Sequence, residues 1–191
     1  MPRVHGVRER RHQPVWDTLV RSTGSPAVAI GPSTRLFGNA NVGQLPLTNL
    51  QVPGQLASDQ TYVILALRAW LYFDGTTHRD LYLQVVSQLY FTLTLGDKPQ
   101  FVAPCWYFPA GGGIYGTDTT SSVLNNGYPS QQSILKLARP IIIPVRQNIS
   151  VNAEFFSVGT TDVLDIINNA ATDDQMVIMF MIDGLQTRDV Q

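Results

Sequence analysis

The run from Thr61 to Phe73 constrains the fold of this chain more than any other segment. It is rich in β-branched and aromatic residues, which are enriched in strands. Successive side chains of a strand point to opposite faces, and in this run both alternating sets are largely apolar. We therefore expect a strand with one face against a second sheet and the other against a further sheet or a neighbouring subunit.

Six more segments carry strand patterns, and turn-forming residues separate them. They are 45–56, 81–95, 101–108, 134–143, 145–158 and 175–182. The pattern of the 161–171 segment fits a strand and a short helix about equally well. About eight strands, many turns and no alternating amphipathic helices predict an all-β fold, an eight-stranded antiparallel jelly-roll sandwich over residues 44–191. Within it, the Asp74-Gly75 loop should join two long strands as a hairpin.

Residues 1–43 differ from the rest of the chain, because they show no sustained period and are rich in Arg, Pro, Gly, Ser and Asn. They predict an extended basic N-terminal arm whose scattered apolar residues anchor it to the body or to a neighbouring subunit. Its first 21 residues hold five arginines against two acidic residues. Such an arm could neutralise genome or lipid phosphates, or pair with carboxylates of neighbouring subunits, and the few arginines favour subunit contact.

Charged residues make up only 14% of the chain, against a usual share of about 25%. A surface with few repelling charges is weakly protected against self-association, which favours a chain that buries its surface against copies of itself. No apolar run reaches the roughly 18 residues of a membrane-spanning helix, so we expect a soluble protein that is synthesised inside the cell.

Residues that could carry chemistry are few and scattered. Cys105 lies between Pro104 and Trp106 in an apolar segment, which favours a buried, inert thiol. No two histidines lie at metal-ligand spacing within a strand, and Glu154 is the only glutamate of the predicted body. We therefore expect no catalytic residue, no metal, no cofactor and no small-molecule substrate.

Two features of the later chain suggest contacts instead. Residues 110–132 form a long loop rich in Gly, Thr, Ser and Asn, and a loop of that length is usually functional or contact-forming. Trp106, Tyr107 and Tyr115 should pack in the core or against a subunit, with sugar stacking as the alternative. Beyond these two features, we expect a turn at Asp183-Gly184, after which a short polar extension follows the body.

Three segments, LPLTNLQVPGQL at 45–56, LARPIIIPVRQNISV at 137–151 and IDGLQTRDVQ at 182–191, give the chain a resemblance to known proteins. It resembles the single jelly-roll capsid proteins of tailless icosahedral bacterial viruses of the lineage with an internal membrane. The resemblance covers residues 44–191 and is structural, so it transfers no active-site residue. It implies a virion shell built from copies of the chain, with or without a second capsid protein. The arm lies outside the resemblance, and its arginines are what suggest an inner membrane or the genome as its contact.

The leading hypothesis is thus a self-assembling coat protein located in the virion capsid. A receptor- or carbohydrate-binding jelly-roll module of a spike or tail is the alternative, and an enzyme on a β-barrel is disfavoured by the missing ligand clusters. The residues expected at assembly contacts are the arm's charged and aromatic side chains, one loop tyrosine and one arginine of the tail: Arg8, Arg10, Arg11, Trp16, Phe37, Tyr115 and Arg188.

Overall fold

The computed structural model describes residues 8–22, 32–38, 47–56, 60–74, 79–108, 123–125, 134–156 and 175–189. Within these residues most of the chain is extended, and its strands pair antiparallel in two sheets. The prediction of an all-β antiparallel architecture is therefore confirmed.

The first sheet is organised by two long strands at its centre, β4 (Gln60–Asp74) and β10 (Gln175–Asp189), which pair along most of their length. On its other side, β10 pairs with β2 (Val15–Ser22) through its first half and with β1 (Arg8–His12) through its second half. The free side of β4 pairs with β7 (Val123–Asn125) and β8 (Leu135–Ile143).

The second sheet has the order β3 (Ser33–Leu36), β9 (Ile149–Phe155), β5 (Leu89–Leu95) and β6 (Lys98–Pro104). A two-residue turn at Gly96-Asp97 joins β5 to β6, and Gly96 has a φ of 60°, a conformation that favours glycine. Turn-forming residues between the predicted strand segments 81–95 and 101–108 thus form a hairpin turn.

One apolar core lies between the two sheets. Phe91 of β5 and Phe180 of β10 meet across it with ring centroids 4.9 Å apart, and Phe108 packs against both at 5.6 and 5.3 Å. Each large apolar side chain buried in this way stabilises the fold by about 1.5–3 kcal/mol. The largest fully buried side chains come from both sheets and from segments beside them: Tyr62, Phe37, Phe91, Phe108, Phe180, Leu36, Ile64, Leu67, Leu71, Leu89 and Leu93.

The two faces of β4 differ in their environment. The core-facing set of residues changes along the strand: Ile64 is buried before the register shift at Ile64/Ala66, and Leu71, of the other alternating set, is buried after it. On the opposite face of the second part Trp70 and Tyr72 stack with ring centroids 5.6 Å apart and are half-buried. Both alternating sets of the sequence are apolar because each supplies core residues to one part of the strand.

The segment predicted as one strand over 81–95 divides into a helix and a strand. α1 (Arg79–Gln88) precedes β5, and Val85 and Gln88 are buried while Leu83 and Ser87 are exposed. A spacing of three residues between buried positions belongs to a helix rather than a strand. The predicted β4–β5 hairpin is also wrong, because the two strands lie in different sheets.

Two further predictions are corrected. The strand expected at 45–56 is absent from the described residues 47–56, where Val52 and Gln55 form an isolated bridge around the Pro53-Gly54 turn. Asp183-Gly184 is a β-bulge rather than a turn, and β10 continues past it to Asp189. A Cβ on Gly184 would lie 2.0 Å from the carbonyl oxygen of Val63, so only glycine lets the strands approach this closely.

The described part of the predicted N-terminal arm belongs to the sheets. β1 and β2 pair with β10, β3 pairs with β9, and Val15 and Leu36 are buried in the core. Residues 8–22 and 32–38 are therefore part of the sandwich, and Val15, Leu36 and Phe37 are core residues of this chain. Residues 1–7, the 161–171 segment and the 110–132 loop, apart from 123–125, lie outside the described residues.

Candidate interaction surfaces

The most exposed aromatic surface lies at the end of β6, and we call its members Val102, Trp106 and Tyr107 the aromatic edge. Their exposed fractions are 58%, 63% and 45%. The Trp106 and Tyr107 rings meet at 6.0 Å, and Tyr107 stacks on Phe101 at 6.3 Å. Among the strands that the structure describes, β6 is the last of its sheet.

A single turn of 3-10 helix over Cys105–Tyr107 fixes the aromatic edge. Side chains three residues apart align in such a turn, and Cys105 and Phe108 both point into the core with 2% and 1% of their surface exposed. Trp106 and Tyr107 between them are thereby directed outwards. Of the two placements predicted for Trp106 and Tyr107, the core is excluded and contact with a subunit stays a prediction, whereas the prediction of a buried Cys105 is confirmed.

The outer face of the second sheet carries polar and aromatic groups around Glu154. Thr92 Oγ1 donates to Glu154 Oε2 at 3.4 Å, and Ser33 Oγ donates to Glu154 Oε1 at 3.5 Å. Partial burial raises the pKa of Tyr90, and its hydrogen bond to Glu154 and the negative charge there raise it further. Tyr90 also contacts the ring of Phe156 at 6.0 Å, so an aromatic pair adjoins the carboxylate.

Two adjacent register shifts open a groove on the outer face of the first sheet. The pairing of β4 is irregular on both of its sides near Leu65: its register with β10 shifts at Asp183/Gly184, and its register with β8 shifts between Ile64 and Ala66. The groove has a volume of about 380 Å³, and its walls include Leu65 and Lys136. Inside it, Asp183 accepts a hydrogen bond from Arg68 Nη2 at 2.9 Å and contacts His12 Nε2.

A second concavity lies where β1 and the second half of β10 face the 49–56 segment. It has a volume of about 230 Å³ and is dominated by side-chain amides, so we call it the amide pocket. It is lined by Arg11, Gln13, Val15, Asn49, Leu50, Gln51, Gln55, Leu56, Gln60 and Gln186. The residues come from four separate parts of the sequence, and no sequence pattern marks them as a group.

Hydrogen bonds hold the wall of the amide pocket in place. Tyr62 Oη donates to the carbonyl oxygen of Gln13 at 2.6 Å, which fixes the chain between β1 and β2. On the opposite wall, Asn49 Nδ2 donates to the carbonyl oxygen of Pro14 at 2.7 Å, and the backbone N–H of Trp16 donates to Asn49 Oδ1 at 3.0 Å. Asn49 thus ties the 49–56 segment to the edge of the first sheet.

The arginines expected at assembly contacts lie together on and beside β1. Arg8 and Arg10 are exposed, whereas Arg11 points to the other face of the strand and donates from Nε to Gln186 Oε1 at 2.6 Å. Arg188 on β10 donates from Nε to Glu9 Oε2 at 2.7 Å. Arg11 and Arg188 are therefore engaged by partners within this chain.

The aromatic residues expected at assembly contacts are dispersed. Trp16 is half-buried on β2, and Phe37 is fully buried in the core of its own chain, where a neighbouring subunit has no access to it. Tyr115 lies outside the described residues. No sequence pattern distinguishes Phe37 as a core residue from an anchor on another subunit.

The described residues offer few groups for catalysis or ligation. Among them, no cluster of three or more His, Cys, Asp or Glu side chains could hold a metal ion. Burial raises the pKa of the Cys105 thiol, which keeps it protonated and unreactive. Within the same ranges, no helix has the length and apolar character needed to cross a bilayer.

Comparisons with known proteins do not identify a family for this chain. No protein-family model matches the chain, and no curated protein is similar to it.

Proposed function

We propose that the sandwich is a jelly roll and that the chain is a coat protein which assembles with copies of itself into an icosahedral virion shell. The pairing of eight strands supports the fold. Leaving aside β1 and β7, the first strand pairs with the last, β2 with β10, and the remaining pairs are nested inside it: β3 with β9, β4 with β8 and β5 with β6. A long hairpin rolled into two sheets has this order, which is that of a jelly roll.

The observation that carries the assembly proposal is the distribution of exposed apolar side chains. Large apolar residues are exposed on both sheets and on the segments between them: Val52, Leu65, Leu83, Val102, Trp106, Tyr107, Ile142, Val145 and Phe156. Trp106 and Tyr107 are exposed and in ring contact with each other, and adjacent exposed apolar side chains generally mark an interaction site. A subunit of a closed shell needs interfaces on several sides, whereas a simple dimer needs one.

The exposed apolar residues and the exposed arginines lie at different borders of the two sheets, which supports more than one interface. The aromatic edge lies at β6 of the second sheet, whereas Leu65 and Ile142 lie on the neighbouring strands β4 and β8 of the first sheet, with exposed fractions of 39% and 64%. Arg8 and Arg10 lie on the opposite border of the first sheet, at β1. The arginines there are the described groups best placed to meet acidic neighbours, a second coat protein, the genome or a membrane.

Light scattering and electron microscopy of the purified full chain over a range of protein and salt concentrations test the proposal. We expect large regular particles or capsomers, and we expect Trp106→Ser to reduce their amount at least tenfold. Gln100→Ser, an exposed polar position on β6, is the matched control and should assemble like the wild type. A wild-type chain that stays monomeric at every concentration and salt would overturn the proposal.

A carbohydrate-binding module is the second candidate, and the aromatic edge is also the observation that favours it. Flat, exposed rings such as Trp106 can stack on sugars, and Glu154 with Thr92 offers polar groups on the same sheet. In that case glycans should bind to a monomer or trimer, and Trp106→Ser should abolish binding without changing the mass of the particle.

A further inference from the structure

The amide pocket has one charged residue among its described lining residues, Arg11. The nearest acidic group on the same face of β1 is Glu9, which is already paired with Arg188 at 2.7 Å. Arg11 uses only its Nε atom, on Gln186 Oε1, so the two terminal nitrogens of the guanidinium have no acceptor within the described residues. These two N–H groups form the fork that binds a carboxylate through two parallel hydrogen bonds.

A chain of hydrogen bonds sets the polarity of the pocket. Gln186 is 5% exposed, and because its oxygen accepts from Arg11, its nitrogen is directed at Gln60 Oε1, to which it donates. With its oxygen engaged, Gln60 keeps its own –NH₂ group as a donor. Arg11 and Gln60 therefore both offer N–H donors to the pocket, and the charge of Arg11 makes an anion the matching ligand.

The size and floor of the pocket restrict the anion further. Its volume of about 230 Å³ is below the range of about 300–1,000 Å³ that is typical of drug-sized ligands. Val15, Leu50 and Leu56, each with 5–6% of their surface exposed, form an apolar floor. A single guanidinium matches a single negative charge, and the floor suits a short alkyl group.

From this arrangement we propose that the amide pocket binds a carboxylate that carries a short aliphatic chain, with Arg11 as the charged anchor. The same chemistry could be presented by a free small acid or by a glutamate side chain of a peptide. The site goes beyond the proposed coat function and does not depend on it, since it is built within one chain.

Saturation-transfer difference NMR on the full chain tests the site, because the method observes the ligand and tolerates large particles. Butyrate should bind, whereas butyramide, which has the same shape and no charge, should bind at least about tenfold more weakly. Arg11→Gln should reduce the affinity for butyrate by a similar factor. Arg10→Gln is the matched control, because Arg10 is the neighbouring residue of β1 and is exposed on the other face, and it should bind like the wild type.

Gln51→Glu provides a second variant in case Arg11→Gln does not fold. Gln51 is exposed at the surface, so the substitution should leave the fold intact while the added negative charge repels butyrate.

The peptide acetyl-Ala-Glu-Ala-amide, with its glutamine counterpart as a control, distinguishes a small acid from a peptide as the source of the carboxylate. Binding of the glutamate peptide alone identifies a peptide ligand, and binding of butyrate alone identifies a small acid. Absence of binding by both, equal binding of butyrate and butyramide, or equal loss in the Arg10 and Arg11 variants would overturn the proposal.

Discussion

The carboxylate of Asp17 in β2 accepts a hydrogen bond from the backbone N–H of Phe37, the residue that follows β3. Its other oxygen accepts from the N–H of Thr18 at 2.9 Å. Asp17 is 3% exposed, and Phe37 is fully buried with a left-handed φ of 61°. A carboxylate of the first sheet thus holds a strained turn at the edge of the second sheet, and so links the two sheets.

Asp17→Asn should lower the free energy of unfolding by about 1–3 kcal/mol. An amide has one acceptor oxygen in place of two, so one buried N–H loses its partner. Urea unfolding measures the change, and the slope of the transition should stay constant. Asp97→Asn, at an exposed turn position, is the control and should change stability by less than about 0.5 kcal/mol. Equal stability of the two variants would show that Asp17 does not link the sheets.

Gly184→Ala should destabilise the fold strongly, by about 1–3 kcal/mol or more, because the new Cβ would lie 2.0 Å from the Val63 carbonyl oxygen and 2.9 Å from Tyr62. Gly38→Ala is the matched control, since its Cβ would meet no atom closer than 3.6 Å. Thermal unfolding of both variants checks the difference. A Gly184→Ala chain as stable as Gly38→Ala would mean that the strands can separate at the bulge without cost.

The two ion pairs of the first sheet should differ in their contribution to stability. Arg68 and Asp183 are 18% and 13% exposed, whereas Arg188 and Glu9 are 42% and 43% exposed. Glu9→Gln should change the free energy of unfolding by less than about 1 kcal/mol, as is usual for surface pairs. Asp183→Asn should cost more, about 1–3 kcal/mol, because it leaves the charge of Arg68 largely buried without a counter-charge. Denaturant unfolding in low and high salt compares them, and similar costs would argue against burial as the cause.

Cys105 should make the stability of the protein depend on pH in alkaline solution. Burial raises the pKa of the thiol in the folded chain, whereas in the unfolded chain it ionises near pH 8.5. The unfolded state then binds fewer protons than the folded state, so the free energy of unfolding falls above that pH by about 1.4 kcal/mol per unit.

Urea unfolding of the wild type and of Cys105→Ala at pH 7.5 and 9.5 isolates this effect from other groups. The wild type should lose more stability than the variant over that interval, and its thiol should react with a disulfide reagent only on unfolding. A thiol that reacts rapidly in the folded state would contradict the burial.

The all-β class of the fold could be predicted from the sequence because the alternation of apolar and polar residues along a half-buried strand is a local signal. Residues 134–143 and 175–182 fall on β8 and β10 for this reason. It failed at α1, where Leu81, Leu83 and Leu89 satisfy an alternating pattern although the burial of Val85 and Gln88 follows a helical one. Local patterns of this kind also could not place β1, β2 and β3, which are short or charged and owe their strand conformation to pairing with distant partners.

The candidate sites were harder to predict than the fold. Arg11 was expected to contact another subunit, but the residues that give it a role, Gln186 and Gln60, lie 175 and 49 positions further along the chain. Trp106 was expected to be covered because it is large and apolar. Its exposure follows from the 3-10 turn that buries Cys105 and Phe108, which the sequence pattern does not reveal.

The pairing of Arg8 with Asp189 places the first and last described strand residues side by side at one border of the first sheet. Directly opposed residues of antiparallel strands have Cα atoms only about 4.5–5.5 Å apart. A short loop could therefore join these two positions, and new ends could be opened at the Gly96-Asp97 hairpin on the other sheet. In such a circular permutant every strand would keep its neighbours, so the order of the strands along the chain could be changed while their arrangement in space is preserved.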